Sequence, residues 1–496
     1  MLDGYMSNSP APFRLDLISW QEGVTGSMTL LRITFSDKRE VYGLVDAGIV
    51  MDDNAKNLET HFDPKLLDFI LITHPHADHI ALLPRLYHNG CTAPIYTTHM
   101  SDTLMQTALM DAEKIMTNNC KFFGGPLWYN PEDTQNVLRN IVGNTFFREF
   151  EVALNTKVIL ADNGHLMGAA VIFLKVDDTD TDESIVYVFS GDYKPTNKLK
   201  KIRGISLVKK LWHLDDNIPI NCLIESTYGE NGRAEGRFED EREDKFYNEL
   251  IKGIEENKSI FCPCLALERP DLLLFDIKRA QDNGVISADI PIYIVGDGIR
   301  EFTKQGMKYA DVDFKPKNLQ FIRYCLRKKE DNSMELIPEL TIEKNKPIIV
   351  IASSGMCQHG SSVSLIREYL PDRRVKIIFS CYLAEGTLGL EIKNTEIGNT
   401  DVIQGCSTPR YAEIVETKQF SGHASPDELV DFLKSLGNVK FIAVHHGDKQ
   451  ARADFSKRLL KEFPESKVVE FGEGYYFRTG PWGLVTPKVL PKFLET

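Results

Sequence analysis

Ten residues, Leu71 to Ile80, constrain this chain most because they join a hydrophobic strand to a dense set of metal-binding side chains. Phe69 to Ile72 are apolar and predict a buried strand that ends at Thr73. Pro75 excludes a helix interior or a central strand, which places the following residues on a loop at the strand end. Four ligand-type side chains occur there within six positions: His74, His76, Asp78 and His79. Imidazole and carboxylate groups are zinc ligands, so a metal site is favoured over an ordinary polar loop.

The size and charge of the chain limit its class. Its 496 residues predict two or more domains, each with its own core. A hydrophobic content of 42% and a charged content of 26% are typical of a globular protein. The net charge of −13 argues against a protein that binds nucleic acid through charge alone. It does not exclude a nuclease, because metal ions supply positive charge within a site.

The cysteines and the first residues predict a cytoplasmic location. Nine cysteines are scattered along the chain without a Cys-x-x-Cys pair, which fits a reducing compartment better than a disulfide framework. Met1 to Arg14 lack the cationic start and apolar centre of a signal peptide. No stretch approaches eighteen uncharged apolar residues, so we expect no membrane span and no membrane partner.

Further polar residues follow other predicted strands. Asp46 ends the apolar run Val41 to Val45, where it is either a turn former or a carboxylate that orients a metal ligand. His165 follows the run Thr156 to Leu160 on a glycine-containing loop that allows close approach to a metal. Carboxylates or histidines also follow later apolar runs: Asp192, Glu225, His445 and His446. Strand ends of an α/β sheet present a site at one rim in this way. His423 instead precedes a predicted helix from Asp427 to Leu436.

A second region begins near Gly229, where the composition becomes strongly charged. A solvated helix of the same domain is the alternative interpretation. Apolar runs such as 259–264 and 348–352 alternate there with helical stretches, which predicts a second α/β layer with a parallel sheet. Ser353, Ser354 and Gly355 form a small-residue turn after one run, suited to a phosphate but also common at strand ends.

Several motifs occur together in one order. The His-x-His-x-Asp-His run with later lone His and Asp residues resembles the metallo-β-lactamase superfamily. Residues 225–229 (Glu-Ser-Thr-Tyr-Gly) resemble motif A of its β-CASP branch of nucleases, 420–423 (Phe-Ser-Gly-His) motif B, and 444–448 (Val-His-His-Gly-Asp) motif C. Residues 352–356 and 382–389 also resemble segments of the domain inserted in that branch. The similarity runs roughly from Thr25 to Phe471, and the shared order makes it specific.

The resemblance implies an α/β fold in which a four-layer αββα metallo-β-lactamase domain is interrupted by an inserted α/β β-CASP domain. The first part of the metallo-β-lactamase domain is expected over residues 1–229, the β-CASP domain over 230–408, and the second part over 409–496. The resemblance also implies two zinc ions. The implied ligands are His74, His76 and His165 for the first, Asp78, His79 and His446 for the second, and Asp192 as a bridge.

The activity that the resemblance implies is zinc-dependent cleavage of RNA phosphodiester bonds by a hydroxide that two zincs activate. Asp78, Glu225 and His423 are the expected catalytic residues, with His423 as general acid oriented by Glu225. Ser353, Ser354 and Gly355 are expected near a substrate phosphate. Endonuclease and 5′-exonuclease modes are both compatible with these residues.

The histidine of motif C favours RNA, because DNA-directed members of the branch usually carry an aliphatic residue there. His446 is the expected ligand, with its neighbour His445 as the alternative. RNA is thus the expected substrate, and a homodimer is a candidate assembly.

Two departures from the branch bear on function. Ser425 stands where many relatives have an Asp, and residues 267–270 differ from a Gly-Arg-x-Gln pattern in the inserted domain. Two other functions are alternatives, namely hydrolysis of a small ester, thioester or lactam, and a silent subunit that binds RNA or a partner. The inserted domain and the three motifs disfavour the first, and the full ligand set disfavours the second.

Overall fold

Most strands of the computed structural model belong to three sheets, of eight, seven and six strands. The structure describes residues 13–19, 23–50, 54–58, 62–123, 127–214, 218–229, 244–328, 334–338, 346–403, 405–473 and 475–489. The charged stretch from Gly229 to Lys245, predicted to mark a boundary, lies largely outside the described residues. No helix among the described residues is both long enough and apolar enough to cross a membrane.

The elements before residue 230 alternate between strands and helices. In chain order they are β1 (Arg14–Ser19), β2 (Thr29–Thr34), β3 (Glu40–Val45), α1 (Asn54–Leu58), a 3₁₀ helix (Pro64–Leu66), β4 (Phe69–Leu71), α2 (Ala77–Ile80), α3 (Leu83–His88), β5 (Ile95–Thr98), α4 (His99–Phe123), α5 (Pro131–Asn140), β6 (Ile141–Asn144), β7 (Phe150–Ala153), β8 (Thr156–Asp162), β9 (Ala170–Asp178), β10 (Glu183–Phe189), α6 (Ser206–Leu211) and β11 (Ile220–Glu225).

The remaining elements continue the alternation. They are α7 (Lys245–Glu255), β12 (Ser259–Pro263), α8 (Arg269–Asp282), β13 (Ile292–Val295), α9 (Asp297–Tyr309), β14 (Leu319–Ile322), β15 (Tyr324–Lys328), β16 (Met334–Pro338), β17 (Ile349–Ala352), α10 (Ser361–Tyr369), β18 (Val375–Phe379), α11 (Leu388–Asn394), β19 (Thr400–Ile403), β20 (Cys406–Pro409), β21 (Glu413–Glu416), α12 (Pro426–Leu436), β22 (Val439–His445), α13 (Lys449–Glu462), β23 (Lys467–Glu470), β24 (Tyr475–Gly480) and β25 (Gly483–Val489).

The chain divides into two compact units. The first unit comprises residues 1–197, 202–237 and 422–496, and the second comprises 198–201 and 238–421. In the first unit, an eight-stranded sheet has the order β25-β24-β1-β2-β3-β4-β5-β6, and a seven-stranded sheet has the order β23-β22-β11-β10-β9-β8-β7. Interruption of the first unit by the second explains why β22 to β25 complete sheets begun by strands from the start of the chain.

Three hydrophobic cores in the first unit define its layers. Leu31 of one sheet and Tyr187 of the other belong to a core between the two sheets. Leu83 and Leu109 pack helices on the outer face of the eight-stranded sheet. A third core, which includes Leu433, packs helices on the outer face of the seven-stranded sheet. This order of layers is αββα, which confirms the predicted fold class.

Parallel strands bring several strand ends to one rim of the first unit. β3 pairs in parallel with β4, and β11 pairs in parallel with both β10 and β22. β8 and β10 are both antiparallel to β9 and therefore run in one direction. The carboxyl ends of parallel strands meet at one edge of a sheet, where a site can form.

The prediction that the ligand residues lie on a loop at the strand end holds for His74 and His76 but was wrong for Asp78 and His79. The chain forms α2 at Ala77–Ile80 and then α3 at Leu83–His88. Pro84 lies in the first turn of α3, where its missing N–H costs no helical hydrogen bond. Asp78 and His79 are therefore carried by a short helix.

The second unit is built on a parallel sheet. Its six strands have the order β14-β13-β17-β12-β18-β21, and all pairings in this sheet are parallel, as the sequence predicted. Its core includes Phe261, Val350 and Ile366, from β12, β17 and α10. Ser353 to Gly355 follow β17 directly.

Candidate metal centre

The predicted ligands of the first zinc lie together at the strand ends. Nε2 of His74 and Nδ1 of His76 are 3.0 Å apart, and Nε2 of His165 is 3.1 Å from the same Nδ1. Oδ2 of Asp192 lies 3.6 Å from Nε2 of both His74 and His165. These four side chains each offer one atom, and the four atoms lie within 4.8 Å of one another.

A second group lies on the other side of Asp192. Oδ1 of Asp192 is 3.1 Å from Nε2 of His446 and 3.4 Å from Nε2 of His79. Oδ2 of Asp78 is 3.8 Å from each of these two nitrogens. The two oxygens of Asp192 therefore face different groups, as expected of a bridging carboxylate.

Burial keeps the three histidines of the first group neutral. It lowers the pKa of His74 and of His165 well below the usual range, and it lowers the pKa of His76 to about 4. At neutral pH these three imidazoles are uncharged, and each has a nitrogen lone pair available to a cation.

The carboxyl groups of Asp78 and Asp192 are ionised because neighbouring histidines lower their pKa values. Burial raises the pKa of a carboxyl group, but neighbouring histidines outweigh this effect here. Despite burial, His79 and His446 lower the pKa of Asp78 to about 2. Despite burial, His446 and His79 also hold the pKa of Asp192 well below its usual range. In the first group, neutral nitrogen donors thus accompany the negative oxygen donor of Asp192.

Three atoms of the second group test whether a metal fits. Nε2 of His79, Nε2 of His446 and Oδ1 of Asp192 are buried and, within the part of the chain that the structure describes, make no hydrogen bond. Buried polar atoms left without partners are costly, and a divalent cation would satisfy all three. Imidazole nitrogens with carboxylate oxygens are the donor set that zinc prefers. The residues therefore fit zinc.

Asp46 contacts His79 directly and His74 through Thr73. Its Oδ2 lies 2.7 Å from Nδ1 of His79 and 2.9 Å from Oγ1 of Thr73. Oγ1 of Thr73 lies in turn 3.1 Å from Nδ1 of His74. Such contacts hold ligand rings in the tautomer that leaves Nε2 available to a metal. Asp46 thus lies where an orienting carboxylate would, rather than in a simple turn.

Glu225 and His423 form a pair beside the two groups. Nδ1 of His423 is 2.9 Å from Oε2 of Glu225, and its Nε2 is 3.9 Å from Oδ2 of Asp192. Burial lowers the pKa of His423, but the negative charges of Glu225 and Asp192 outweigh it and raise this pKa to about 9. His423 therefore carries a proton at neutral pH, and its Nε2 points toward Asp192.

The structure separates the two adjacent histidines of motif C. His446 contributes Nε2 to the second group, and its backbone adopts a φ of +48° just after β22. His445 ends β22 opposite Glu225 in the strand register, and its carbonyl oxygen accepts a hydrogen bond from Oγ of Ser226. His446 is therefore the histidine that the backbone turns into the group.

The predicted phosphate turn belongs to the second unit. The backbone carbonyl of Ser353 accepts a hydrogen bond from the N–H of Ser362. Oγ of Ser354 donates to the carbonyl of His359 at 3.1 Å. Ser425, one of the departures from the β-CASP pattern, caps α12 through its side chain and has a structural role there.

Sequence reasoning missed the two threonines of the centre. Thr73 and Thr227 each follow a predicted strand and each lie next to a carboxylate and a histidine that were identified. Gly422 was also missed as a contact, although its carbonyl accepts a hydrogen bond from Nδ1 of His165 at 2.8 Å. A hydroxyl residue two positions after the end of a strand, beside the candidate site residues, was the available signal.

Comparison with known proteins agrees with this geometry. The model of the Beta-Casp domain matches residues 272–392, and that of the Zn-dependent metallo-hydrolase RNA specificity domain matches residues 408–469. Ribonuclease TTHA0252 of Thermus thermophilus is 28% identical over 91% of this chain and 97% of its own. The RNase J-like protein of Methanocaldococcus jannaschii is 27% identical over 80% of this chain and 86% of its own.

Other relatives are longer than this chain. Transcription termination factor FttA of Pyrococcus abyssi is 28% identical over 86% of this chain, which spans 66% of that factor's length. The similarity thus covers most of this chain and about two thirds of such archaeal relatives.

Proposed function

We propose that this chain, which belongs to the β-CASP branch of proteins with the metallo-β-lactamase fold, is a zinc-dependent hydrolase that cleaves phosphodiester bonds in RNA. The observation that carries the proposal is Asp192, whose two oxygens face two separate groups of ligand side chains. Ribonuclease-named relatives that align over most of the chain support RNA as the substrate.

We assign the ligands as the sequence predicted them. His74, His76 and His165 would hold one zinc, Asp78, His79 and His446 a second, and Asp192 would bridge both. Bound zinc would supply positive charge against the substrate phosphate and would activate a water molecule near neutral pH. The number of zinc ions, the homodimer and the 230–408 boundaries of the β-CASP domain remain part of this proposal.

The chain itself supplies the proton for the departing oxygen. Nδ1–H of His423 donates a hydrogen bond to Glu225, which orients the imidazole ring. The proton on Nε2 then lies on the side of Asp192. Its pKa, raised to about 9 by Glu225 and Asp192 against the effect of burial, keeps that proton in place at neutral pH. A positioned acid of this kind typically contributes a hundredfold or more to the rate. In our assignment Asp78 acts through the metal and Glu225 through His423.

The test compares substrates and variants. End-labelled RNA and DNA of one sequence are incubated with the wild-type protein, with Asp192→Ala and with Asp37→Ala. Asp37 lies in an exposed turn between β2 and β3 and serves as the matched control. We expect RNA cleavage by the wild type and by D37A, and a loss of more than about a hundredfold in D192A.

Product sizes then separate internal cleavage from removal of 5′ nucleotides. Equal cleavage by D192A would reveal a contaminating nuclease, and cleavage of DNA alone would contradict RNA as the substrate. Wild-type protein that binds zinc and hydrolyses only small esters would favour the alternative of small-ester hydrolysis.

A further inference from the structure

Thr227 lies at the point where the metal ligands meet the acid pair. It follows β11 by two residues and is half-buried. Its Oγ1 is 2.6 Å from Oε2 of Glu225, 3.0 Å from Nδ1 of His446 and 3.2 Å from Nδ1 of His423. One hydroxyl group therefore contacts three side chains to which we have assigned separate roles.

The proton count decides the direction of these hydrogen bonds. A hydroxyl group has one hydrogen to donate and two lone pairs to accept with. The Glu225 carboxylate only accepts, so the short contact requires Thr227 to donate its hydrogen to Oε2. Thr227 can then only accept from His446, whose Nδ1 must carry a hydrogen.

This direction selects one form of His446. With its hydrogen on Nδ1, a neutral His446 has its lone pair on Nε2, the atom 3.1 Å from Oδ1 of Asp192. Histidines that bind metals nearly always donate their other N–H to a carboxylate, carbonyl or similar acceptor. Here the acceptor is the hydroxyl group of Thr227, which itself donates a hydrogen bond to the carboxylate of Glu225.

The same carboxylate oxygen also orients the proton donor. Oε2 of Glu225 receives both the Thr227 hydroxyl hydrogen and the Nδ1–H of His423, the latter at 2.9 Å. Because these two hydrogen bonds share one acceptor atom, the position of His446 and the position of His423 depend on each other. The backbone N–H of Tyr193 donates to the other oxygen, Oε1, which fixes the carboxylate.

A matching arrangement exists beside another of the proposed ligands, His74. Thr73 contacts Asp46 at 2.9 Å and Nδ1 of His74 at 3.1 Å, which repeats the order carboxylate, hydroxyl, imidazole. The repetition in a different segment, with different residues, indicates a common requirement of the ligand histidines.

We propose that Thr227 is a positioning residue that holds His446 ready to bind zinc and couples it to the Glu225–His423 pair. The coupling to proton donation rests on the proposed function, whereas the effect on zinc binding does not.

The test separates the hydroxyl group from the volume of the side chain. Thr227→Val keeps the shape and removes the hydroxyl group, and Thr227→Ser keeps the hydroxyl group. Thr156→Val is the matched control, since it removes a buried threonine hydroxyl that donates to the carbonyl of Leu154 at 3.1 Å, at the start of β8 and away from the strand end. Zinc affinity is measured by competition with a chromophoric chelator. The kcat and KM for RNA cleavage are measured at saturating zinc.

We expect T227V to bind one zinc equivalent about 10- to 100-fold more weakly and the other normally. Its kcat falls at saturating zinc while its KM stays near the wild-type value. T227S recovers both properties to within about threefold, and T156V binds zinc like the wild type.

Wild-type zinc affinity in a folded T227V would overturn the proposal, and so would a T227S as impaired as T227V. Circular dichroism establishes folding, and Thr227→Ala replaces T227V if the latter does not fold. If T227V weakens zinc binding as expected but the wild-type protein cleaves no RNA, the proposed function alone would be refuted.

Discussion

The direction in which single atoms point decides what the metal centre can hold. Asp192 offers one oxygen to each ligand group, and the tautomer of each histidine is set by what contacts its other nitrogen. His165 donates Nδ1–H to the carbonyl of Gly422, while His79 contacts Asp46 through Nδ1. These supporting contacts matter as much as the ligands, since they fix the ligand rings before a metal binds.

At this scale the adjacent histidines provide a test. His446→Ala is expected to remove about one zinc equivalent and to reduce RNA cleavage by more than about a hundredfold, because it deletes the nitrogen that faces Asp192. His445→Ala is expected to keep the full zinc content, because the backbone turns only its neighbour into the group. Zinc is measured by atomic absorption on dialysed protein. A loss of zinc in H445A with full zinc in H446A would reverse the assignment.

At the scale of the element, the short helix α2 depends on a close backbone approach. The loop after β3 passes so near to α2 that an ideal Cβ on Gly48 would lie 1.6 Å from the carbonyl oxygen of Asp78. The N–H groups of Ser27 and Ala47 also donate to the carbonyls of Asp78 and His79, at 2.8 and 2.7 Å. Packing around Gly48 therefore sets the positions of Asp78 and His79, two of the proposed ligands.

Gly48→Ala is accordingly expected to displace α2. Overpacking at a tight site costs about 1–3 kcal/mol, and zinc binding by the second group should weaken about tenfold. Gly204→Ala is the control, since a Cβ there would meet no atom within 4 Å. Thermal unfolding and chelator competition measure both effects. Unchanged zinc affinity in G48A would show that α2 holds its ligands independently of this contact.

At the scale of the whole molecule, the proposed ligands come from segments far apart in the chain but all within the first unit. Zinc that binds only the folded state stabilises it by about 4 kcal/mol when its free concentration is a thousandfold above the dissociation constant. The second unit has its own sheet and core and contributes none of these ligands.

Removal of metal with a chelator is therefore expected to lower the unfolding temperature of the first unit and leave that of the second unchanged. Differential scanning calorimetry of the whole chain, with and without chelator, measures the two transitions. Asp192→Ala should show little response to the chelator. An equal shift of both transitions in the wild type would contradict stabilisation confined to the first unit.

Much of the fold and centre could be predicted because the signals are local. Apolar runs that end in a histidine or carboxylate mark strand ends, and parallel strands bring such ends to one rim. The alternation of apolar runs with helical stretches predicted the parallel sheet, and the family resemblance carried by the order of the motifs implied the αββα layers; the structure contains both. The strand-end residues, grouped as the resemblance implies, include every side chain of the two groups.

What the sequence determined by itself, then, was the set of residue types and the strand ends that carry them, since both follow from neighbours along the chain. Tertiary structure decided which oxygen of Asp192 faces which group and which of the two histidines, His445 or His446, turns inward. It also decided the role of Thr227, which contacts His446, 219 residues away in sequence. Such contacts depend on the register of β11 against β22, a long-range pairing that no local pattern specifies.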